Sequence, residues 1–265
     1  MLLEAKNINV SFKKENQKTI FGKERQQVVK NVSLSLKKGE CLGIIGESGS
    51  GKSTLGKALI GLLKPDNGNI YLDGIDMYNA TGEKRKKIQQ MISIVFQDYT
   101  SSTNPRFLVK DIIGESLRVL EKKLGKKIDR DSKIKELLET VGLNESFMDR
   151  YPHELSGGQL QRVCIARAVA TEPQFILLDE AISSLDASTQ TQVMDLLKDL
   201  QNRYNLSYIF ITHDLPSVTY MCDRVLFFYE GEVVEEVDDI YKLSKVESPY
   251  AKKLLNSILE IKIDE

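Results

Sequence analysis

The chain has 265 residues, with 37 Lys and Arg against 38 Asp and Glu, for a net charge of -1. That length accommodates a sizeable core, as one large domain or a domain with an insert. The balanced charge gives no whole-molecule attraction to nucleic acid or an anionic membrane.

In chain order, short apolar runs alternate with segments of helical period, the pattern of a parallel α/β sheet with covering helices. Cys41-Leu42-Gly43-Ile44-Ile45 reads as a short buried strand. It feeds Gly46-Glu47-Ser48-Gly49-Ser50-Gly51-Lys52-Ser53, a P-loop pattern of Gly, four free positions, then Gly, Lys and Ser. Glycine lets successive backbone N–H groups turn inward around phosphate oxygens. Thr54-Leu55-Gly56-Lys57-Ala58-Leu59-Ile60 reads as the helix that follows. Its N-terminus adds positive partial charge where phosphates would sit. The bland alternative is a glycine-rich hairpin with an incidental lysine, and the strand-loop-helix context opposes it.

Ile92-Ser93-Ile94-Val95-Phe96 is a second strand, ending at Gln97. From about residue 98 to 165 the character is mainly helical, as an insert. Within it Ile134, Leu137, Leu138 and Val141 stand at i, i+3, i+4 and i+7, and Gly142 is placed as a helix stop. The insert ends in Leu155-Ser156-Gly157-Gly158-Gln159, after which Leu160, Val163, Cys164 and Ala168 give a buried helix face. Ser156 with the Gly157 and Gly158 amides thus forms a second helix N-terminus able to hold an anion. Alone, such a start reads more often as a plain cap. Two further strands follow: Phe175-Ile176-Leu177-Leu178, ending at Asp179-Glu180, and Tyr208-Ile209-Phe210-Ile211-Thr212, ending at His213. Open α/β sheets bind ligands outside the carboxyl ends of their strands, so Gly46, Gln97, Asp179, Glu180 and His213 are expected to converge on one nucleotide.

The cationic clusters Lys84-Arg85-Lys86-Lys87 and Lys122-Lys123 with Lys126-Lys127 read as solvated helix faces. Cys41, Cys164 and Cys222 are odd in number, far apart in sequence and set in apolar segments. That argues against a disulfide framework or a metal site and for a reducing compartment. No apolar run approaches the roughly 18 residues needed to span a bilayer, and Met1-Leu2-Leu3-Glu4-Ala5-Lys6 lacks the layout of a signal peptide. A membrane role is therefore expected to come through a partner.

The order of P-loop, Gln97, Leu155-Ser156-Gly157-Gly158-Gln159, Leu178-Asp179-Glu180, Ser184-Leu185-Asp186 and His213 resembles the nucleotide-binding subunit of an ATP-binding cassette (ABC) transporter, over nearly the whole chain. The resemblance implies an α/β P-loop NTPase core with a mixed, mainly parallel sheet, an N-terminal antiparallel β subdomain and an inserted α-helical subdomain. It implies a cassette over residues 1–240 and a helical tail over 241–265. It also implies a head-to-tail dimer, in which the P-loop of one subunit and the Ser156 turn of the other close on a shared ATP.

Carried over residue by residue, the resemblance gives Gly46, Glu47, Ser48, Gly49, Ser50, Gly51, Lys52, Ser53 and Thr54 to the phosphates. Ser53, Gln97 and Asp179 go to Mg²⁺, Glu180 becomes the general base for water, and His213 the γ-phosphate contact. Ser156, Gly157, Gly158, Gln159 and Asp186 serve the partner's nucleotide. Adenine is expected on Phe12, with Val28 as an apolar neighbour and Phe21 as the rival.

Gln97-Asp98-Tyr99-Thr100-Ser101-Ser102-Thr103-Asn104-Pro105-Arg106 resembles the same segment of peptide and nickel importers, though Tyr99 and Thr103 depart from the usual Gln-Asp-Pro and Ser-Leu-Asn-Pro-Arg. It is the expected docking segment for membrane subunits. Ser248-Pro249-Tyr250-Ala251 resembles the His-Pro-Tyr-Thr tail of that subfamily, with Ser248 where His is usual. The run Gln161-Arg162-Val163-Cys164-Ile165-Ala166-Arg167-Ala168 and Ala181 after Glu180 lean toward the nickel-import type, leaving peptide or metal chelate open.

The implied partners are an identical or similar ATPase subunit, two permease subunits and, indirectly, an extracytoplasmic binding protein, with no nucleic acid. The implied location is peripheral, on the cytoplasmic face of the bacterial plasma membrane. The alternative is a soluble cassette ATPase of translation or DNA repair. Such proteins usually carry two cassettes or a coiled-coil insert, against one P-loop and no sustained heptads here. A P-loop kinase or GTPase would leave the Ser156 turn without a purpose.

Overall fold

A computed structural model describes residues 1–13 and 24–261; Phe21 lies outside them. The chain runs β1 (Leu3–Lys13), β2 (Arg25–Leu36), β3 (Cys41–Ile45), α1 (Lys52–Leu59), β4 (Asn67–Leu72), β5 (Ile75–Asp76), α2 (Gly82–Met91) and β6 (Ile92–Val95). It continues with α3 (Val109–Leu124), α4 (Arg130–Thr140), α5 (Gly157–Val169), β7 (Phe175–Asp179), α6 (Ala187–Tyr204) and β8 (Ser207–Thr212). Last come α7 (Leu215–Met221), β9 (Arg224–Tyr229), β10 (Glu232–Val237) and α8 (Pro249–Ile261). These elements form two compact units, Met1–Arg85 with Ile209–Glu265, and Lys86–Tyr208.

The first unit holds a four-stranded antiparallel sheet in the order β2-β1-β4-β5. Its register sets apolar residues opposite one another: Leu3 faces Leu36 and Leu72, Ala5 faces Leu34 and Ile70, and Val10 faces Val29. All of these are buried. Period-2 alternation thus gives the sheet one core face. Asp73 and Gly74 join β4 to β5 with φ of 49° and 73°, and Glu230 and Gly231 join β9 to β10 with 47° and 88°. Positive φ at both turn positions matches the twist of a two-residue hairpin.

Beside it run β10, β9, β3 and β8 in that order. Strand β3 is buried along its whole length and pairs in parallel with β9, Ile44 beside Leu226 and Ile45 beside Phe227. A continuous apolar run is what a strand covered on both faces requires. Arg224 at the start of β9 is buried and ion-paired with Glu40 at 2.9 Å and with Glu236, which offsets part of the cost of burying its charge. Cys41 and Cys222, 181 residues apart, meet with their sulfurs 3.6 Å apart as free thiols. The hydrogen bond to Cys222, reinforced by burial, pushes the Cys41 thiol well above its ordinary range. Their wide sequence spacing gives no sign of this pair.

In the second unit β6 and β7 pair in parallel, Ile92 beside Phe175 and Val95 beside Leu178. Helices α3, α4 and α5 pack on one another. Ile134, Leu137, Leu138 and Val141 are buried, and Gly142 has φ of 73° just past the end of α4. Arg162 of α5 donates to the Val141 carbonyl at 2.7 Å, closing that helix end. This unit therefore holds α2 in part, β6, β7 and α6 as well as the expected helical insert.

Candidate nucleotide site

Within the first unit the P-loop follows directly from the buried end of β3. A Cβ at Gly46 would lie 2.1 Å from the Phe228 carbonyl oxygen, so only glycine fits where the loop leaves the sheet. Gly51 has φ of 107°, and a Cβ there would meet the Val28 carbonyl oxygen at 2.6 Å. Residue Gly51 caps α1, so the helix starts at Lys52 inside the motif, two residues before the sequence pattern suggests. Lys52 and Ser53 thereby occupy the first turn, at the positive end of the helix.

The Lys52 side chain is 4% exposed and folds over its own loop. Its Nζ donates to the carbonyl oxygens of Gly46 at 2.7 Å and Glu47 at 2.8 Å. The Ser50 hydroxyl is buried without a hydrogen-bond partner among the described residues. An orphaned buried hydroxyl is costly, and it fits a cradle built to receive acceptor oxygens. The space over Gly49 is open: its φ is 81°, and a Cβ there would meet no atom within 4 Å.

Two other expected residues belong to this unit. His213 is exposed at the end of β8, just before Asp214, whose carboxylate accepts from the Ser217 N–H at 2.8 Å and caps α7. Phe12 stands near the end of β1 opposite Gln26 and is 44% exposed, so its ring is not a core residue.

The second unit groups Gln97, Asp179 and Glu180. The Gln97 side-chain amide donates to the Glu180 carboxylate at 3.1 Å. Asp179 ends β7 buried, and Glu180 follows in left-handed conformation with φ of 48°. A non-glycine residue held there requires its surroundings to fix it. The turn supplies that: the Glu180 carbonyl accepts from the Ser183 N–H at 3.2 Å and the Ser183 hydroxyl at 2.9 Å. Gln161, fully buried on α5, donates to the next carbonyl, of Ala181, at 2.6 Å.

Ser156 caps α5. Its hydroxyl accepts from the Gln159 N–H at 3.3 Å and the Gln159 side chain accepts from the Ser156 N–H at 3.0 Å, a reciprocal capping box. The glycines of this turn sit against neighbours. A Cβ at Gly157 would lie 2.6 Å from the Tyr99 hydroxyl, and one at Gly158 would lie 2.5 Å from the Thr189 methyl. Asp186 caps α6, accepting from the Thr189 N–H at 2.9 Å and its hydroxyl at 2.7 Å. Those hydrogen bonds, the hydroxyl first, hold its carboxyl below the ordinary range.

The segment after Gln97 folds as a tight loop. Asp98 accepts from the Thr100 hydroxyl and from the N–H groups of Thr100 and Ser101 at 3.0 Å each, which brings its pKa down to about 2, the Thr100 hydroxyl being the largest cause. Arg167 of α5 donates to the Ser102 carbonyl at 2.6 Å. Motifs alone give Tyr99, Gln161 and Arg167 none of these partners. Each contact joins positions more than 15 residues apart in sequence, beyond the reach of periodicity.

A model of the family described as "ABC transporter" matches residues 29–183, more than half of the chain. The chain belongs to the ABC transporter family. It is 42% identical to the oligopeptide transport ATP-binding protein OppF of Streptococcus mutans over 98% of this chain and 82% of that one. It is 43% identical to the metal-staphylopine import system ATP-binding protein CntF of Staphylococcus aureus, over 91% of this chain and 93% of that one. Among solved structures, the ABC cassette MJ0796, a dimer bound to ADP and Pi, matches with a TM-score of 0.76 at 32% identity, covering 89% of this chain and 97% of that one. The cassette cbiO1 from Clostridium perfringens, part of an ABC transporter complex, matches with a TM-score of 0.74 at 27% identity, covering 98% and 96%. The ABC cassettes share its α/β P-loop NTPase fold.

Proposed function

We propose that this chain is the ATP-hydrolysing subunit of an ABC importer and that it works as one half of a head-to-tail ATPase dimer. The observation that carries the reading is Lys52, nearly buried yet folded over its own loop, in which the buried Ser50 hydroxyl has no hydrogen-bond partner among the described residues.

In this reading Gly46 to Thr54 surround the phosphates, the backbone N–H groups beyond Glu47 face them and Lys52 adds its charge. Ser53, Gln97 and Asp179 are hard oxygen donors of the type Mg²⁺ takes, and the ion when bound would neutralise charge on the β- and γ-phosphates. Glu180 accepts the proton of the attacking water, and the Gln97 amide orients its carboxylate. His213 contacts the γ-phosphate and Phe12 stacks on adenine. The partner's nucleotide is received by Ser156, Gly157, Gly158 and Gln159 at the positive end of α5, with Asp186 alongside. Closure and reopening of the dimer supply the mechanical step.

No helix among the described residues is long and apolar enough to cross a membrane. In this reading separate permease subunits carry the substrate. The loop from Tyr99 to Arg106 docks on them, at the cytoplasmic face of the bacterial plasma membrane. Relatives named for oligopeptide transport, dipeptide transport and metal-staphylopine import support a peptide or a metal chelate as the substrate class. The test is the ATPase rate of the reconstituted complex with its binding protein loaded with peptide or with chelated metal. Stimulation by one alone assigns the class, and stimulation by neither rejects the importer reading.

A further inference from the structure

The peptide group between Gly46 and Glu47 is held at both ends. Its carbonyl accepts from the Lys52 ammonium at 2.7 Å, and its N–H donates to the Tyr250 phenol oxygen at 2.9 Å. Tyr250 lies 203 residues further on, in the first turn of α8.

Two other contacts fix α8 at that place. The Tyr250 ring lies 4.5 Å from the Tyr229 ring at 35°, and Tyr229 ends β9 directly after Phe228, whose carbonyl oxygen underlies Gly46. Lys253 stands 3.9 Å from the Glu47 carboxylate. Ala251 beside Tyr250 is fully buried, which seats the helix. Desolvation raises the Tyr250 pKa, so its oxygen stays a neutral phenol acceptor at working pH.

A peptide group is rigid and planar, so fixing its N–H direction also fixes its carbonyl direction. The Gly46 carbonyl, together with that of Glu47, holds the Lys52 ammonium. We propose that Tyr250 is a positioning residue for nucleotide binding, acting from the C-terminal helix through the Gly46–Glu47 peptide on Lys52. An N–H group engaged by Tyr250 is not offered to phosphate, so the tyrosine works on the outside of the loop. The proposal rests on the P-loop reading above. It makes α8 part of the nucleotide site rather than an appendage.

The test is Tyr250→Phe in the full chain, which keeps the ring against Tyr229 and removes only the hydroxyl. Binding of ADP and of ATP is measured by displacement of a fluorescent nucleotide, alongside steady-state hydrolysis and thermal unfolding. The Kd for ADP and the KM for ATP are expected to rise about three- to tenfold, the effect of one lost hydrogen bond, while kcat at saturating ATP falls less than twofold. Lys253→Ala, an exposed pair, changes KM by less than twofold.

Nucleotide constants within twofold of the parent, with or without a lower melting temperature, would overturn the proposal, because they would leave Tyr250 a purely structural anchor. Lys52→Ala is measured in parallel. If it loses nucleotide binding while Tyr250→Phe keeps it, this proposal alone fails. If Lys52→Ala binds normally, the P-loop reading fails and takes the proposal with it.

Discussion

The Gln97 amide nitrogen lies 3.1 Å from a Glu180 carboxylate oxygen, joining the end of β6 to the residue after β7. The backbone turn at Glu180 is strained and tied down by Ser183, so its carboxylate is presented in one direction. A carboxylate held this way suits proton acceptance from a positioned water.

Glu180→Gln keeps the shape and the hydrogen-bonding reach while removing the proton acceptor proposed above. Hydrolysis should fall by about 100-fold or more. ATP affinity should persist, and the ATP-bound dimer should accumulate in size-exclusion chromatography. An unchanged turnover rate would remove Glu180 from the role of base.

The α5 helix start is crowded by Tyr99. Gly157→Ala would drive a methyl to 2.6 Å from the Tyr99 hydroxyl, so the phenol tip must swing away, and should destabilise the fold by about 1 kcal/mol, the low end for overpacking. Tyr99→Ala in the same chain should recover at least half of that loss in a denaturant titration. Simple additivity of the two substitutions would mean that the residues do not press on one another.

The site's motifs and their packing partners are unequally legible in sequence. The P-loop, Asp179-Glu180 and the Ser156 turn are local patterns, because a glycine-bounded turn, a buried strand and a helix start each declare themselves within about ten residues. The partners of those patterns are not local. Tyr99 against Gly157, Gln161 on the Ala181 carbonyl, and Cys41 beside Cys222 depend on chain packing, which periodicity does not encode. The tail tyrosine is visible as part of Pro249-Tyr250, yet its contact with Glu47 spans most of the chain.

Arg167 anchors the loop after Gln97 to α5 by donating to the Ser102 carbonyl at 2.6 Å. Arg167→Ala should cost about 1–3 kcal/mol, as a charge-assisted hydrogen bond is lost and a carbonyl is left unmet. Hydrogen exchange should accelerate across residues 98–103 more than elsewhere in that unit. Uniform acceleration would indicate global destabilisation instead.

The Asp98 carboxyl gives a pH signature. Its folded pKa is about 2, below the ordinary 3.8, because the Thr100 hydroxyl and adjacent N–H groups favour the charged form. A depressed folded pKa contributes stability that is fully present above about pH 4 and is lost as pH falls through about 2. The stability difference between parent and Asp98→Asn should therefore shrink steadily over that window. A difference constant from pH 5 to pH 2 would contradict the hydrogen-bonded loop.

In the proposed dimer the P-loop of one subunit and the Ser156 turn of the other complete each other. The direct measurement is ATP hydrolysis per subunit across a dilution series, with nucleotide binding and mass followed in parallel and with the partner ATPase added where this chain alone stays monomeric. The monomer should bind nucleotide but turn it over poorly, and turnover should rise as dimers form. A monomer hydrolysing ATP at the full rate would contradict the claim.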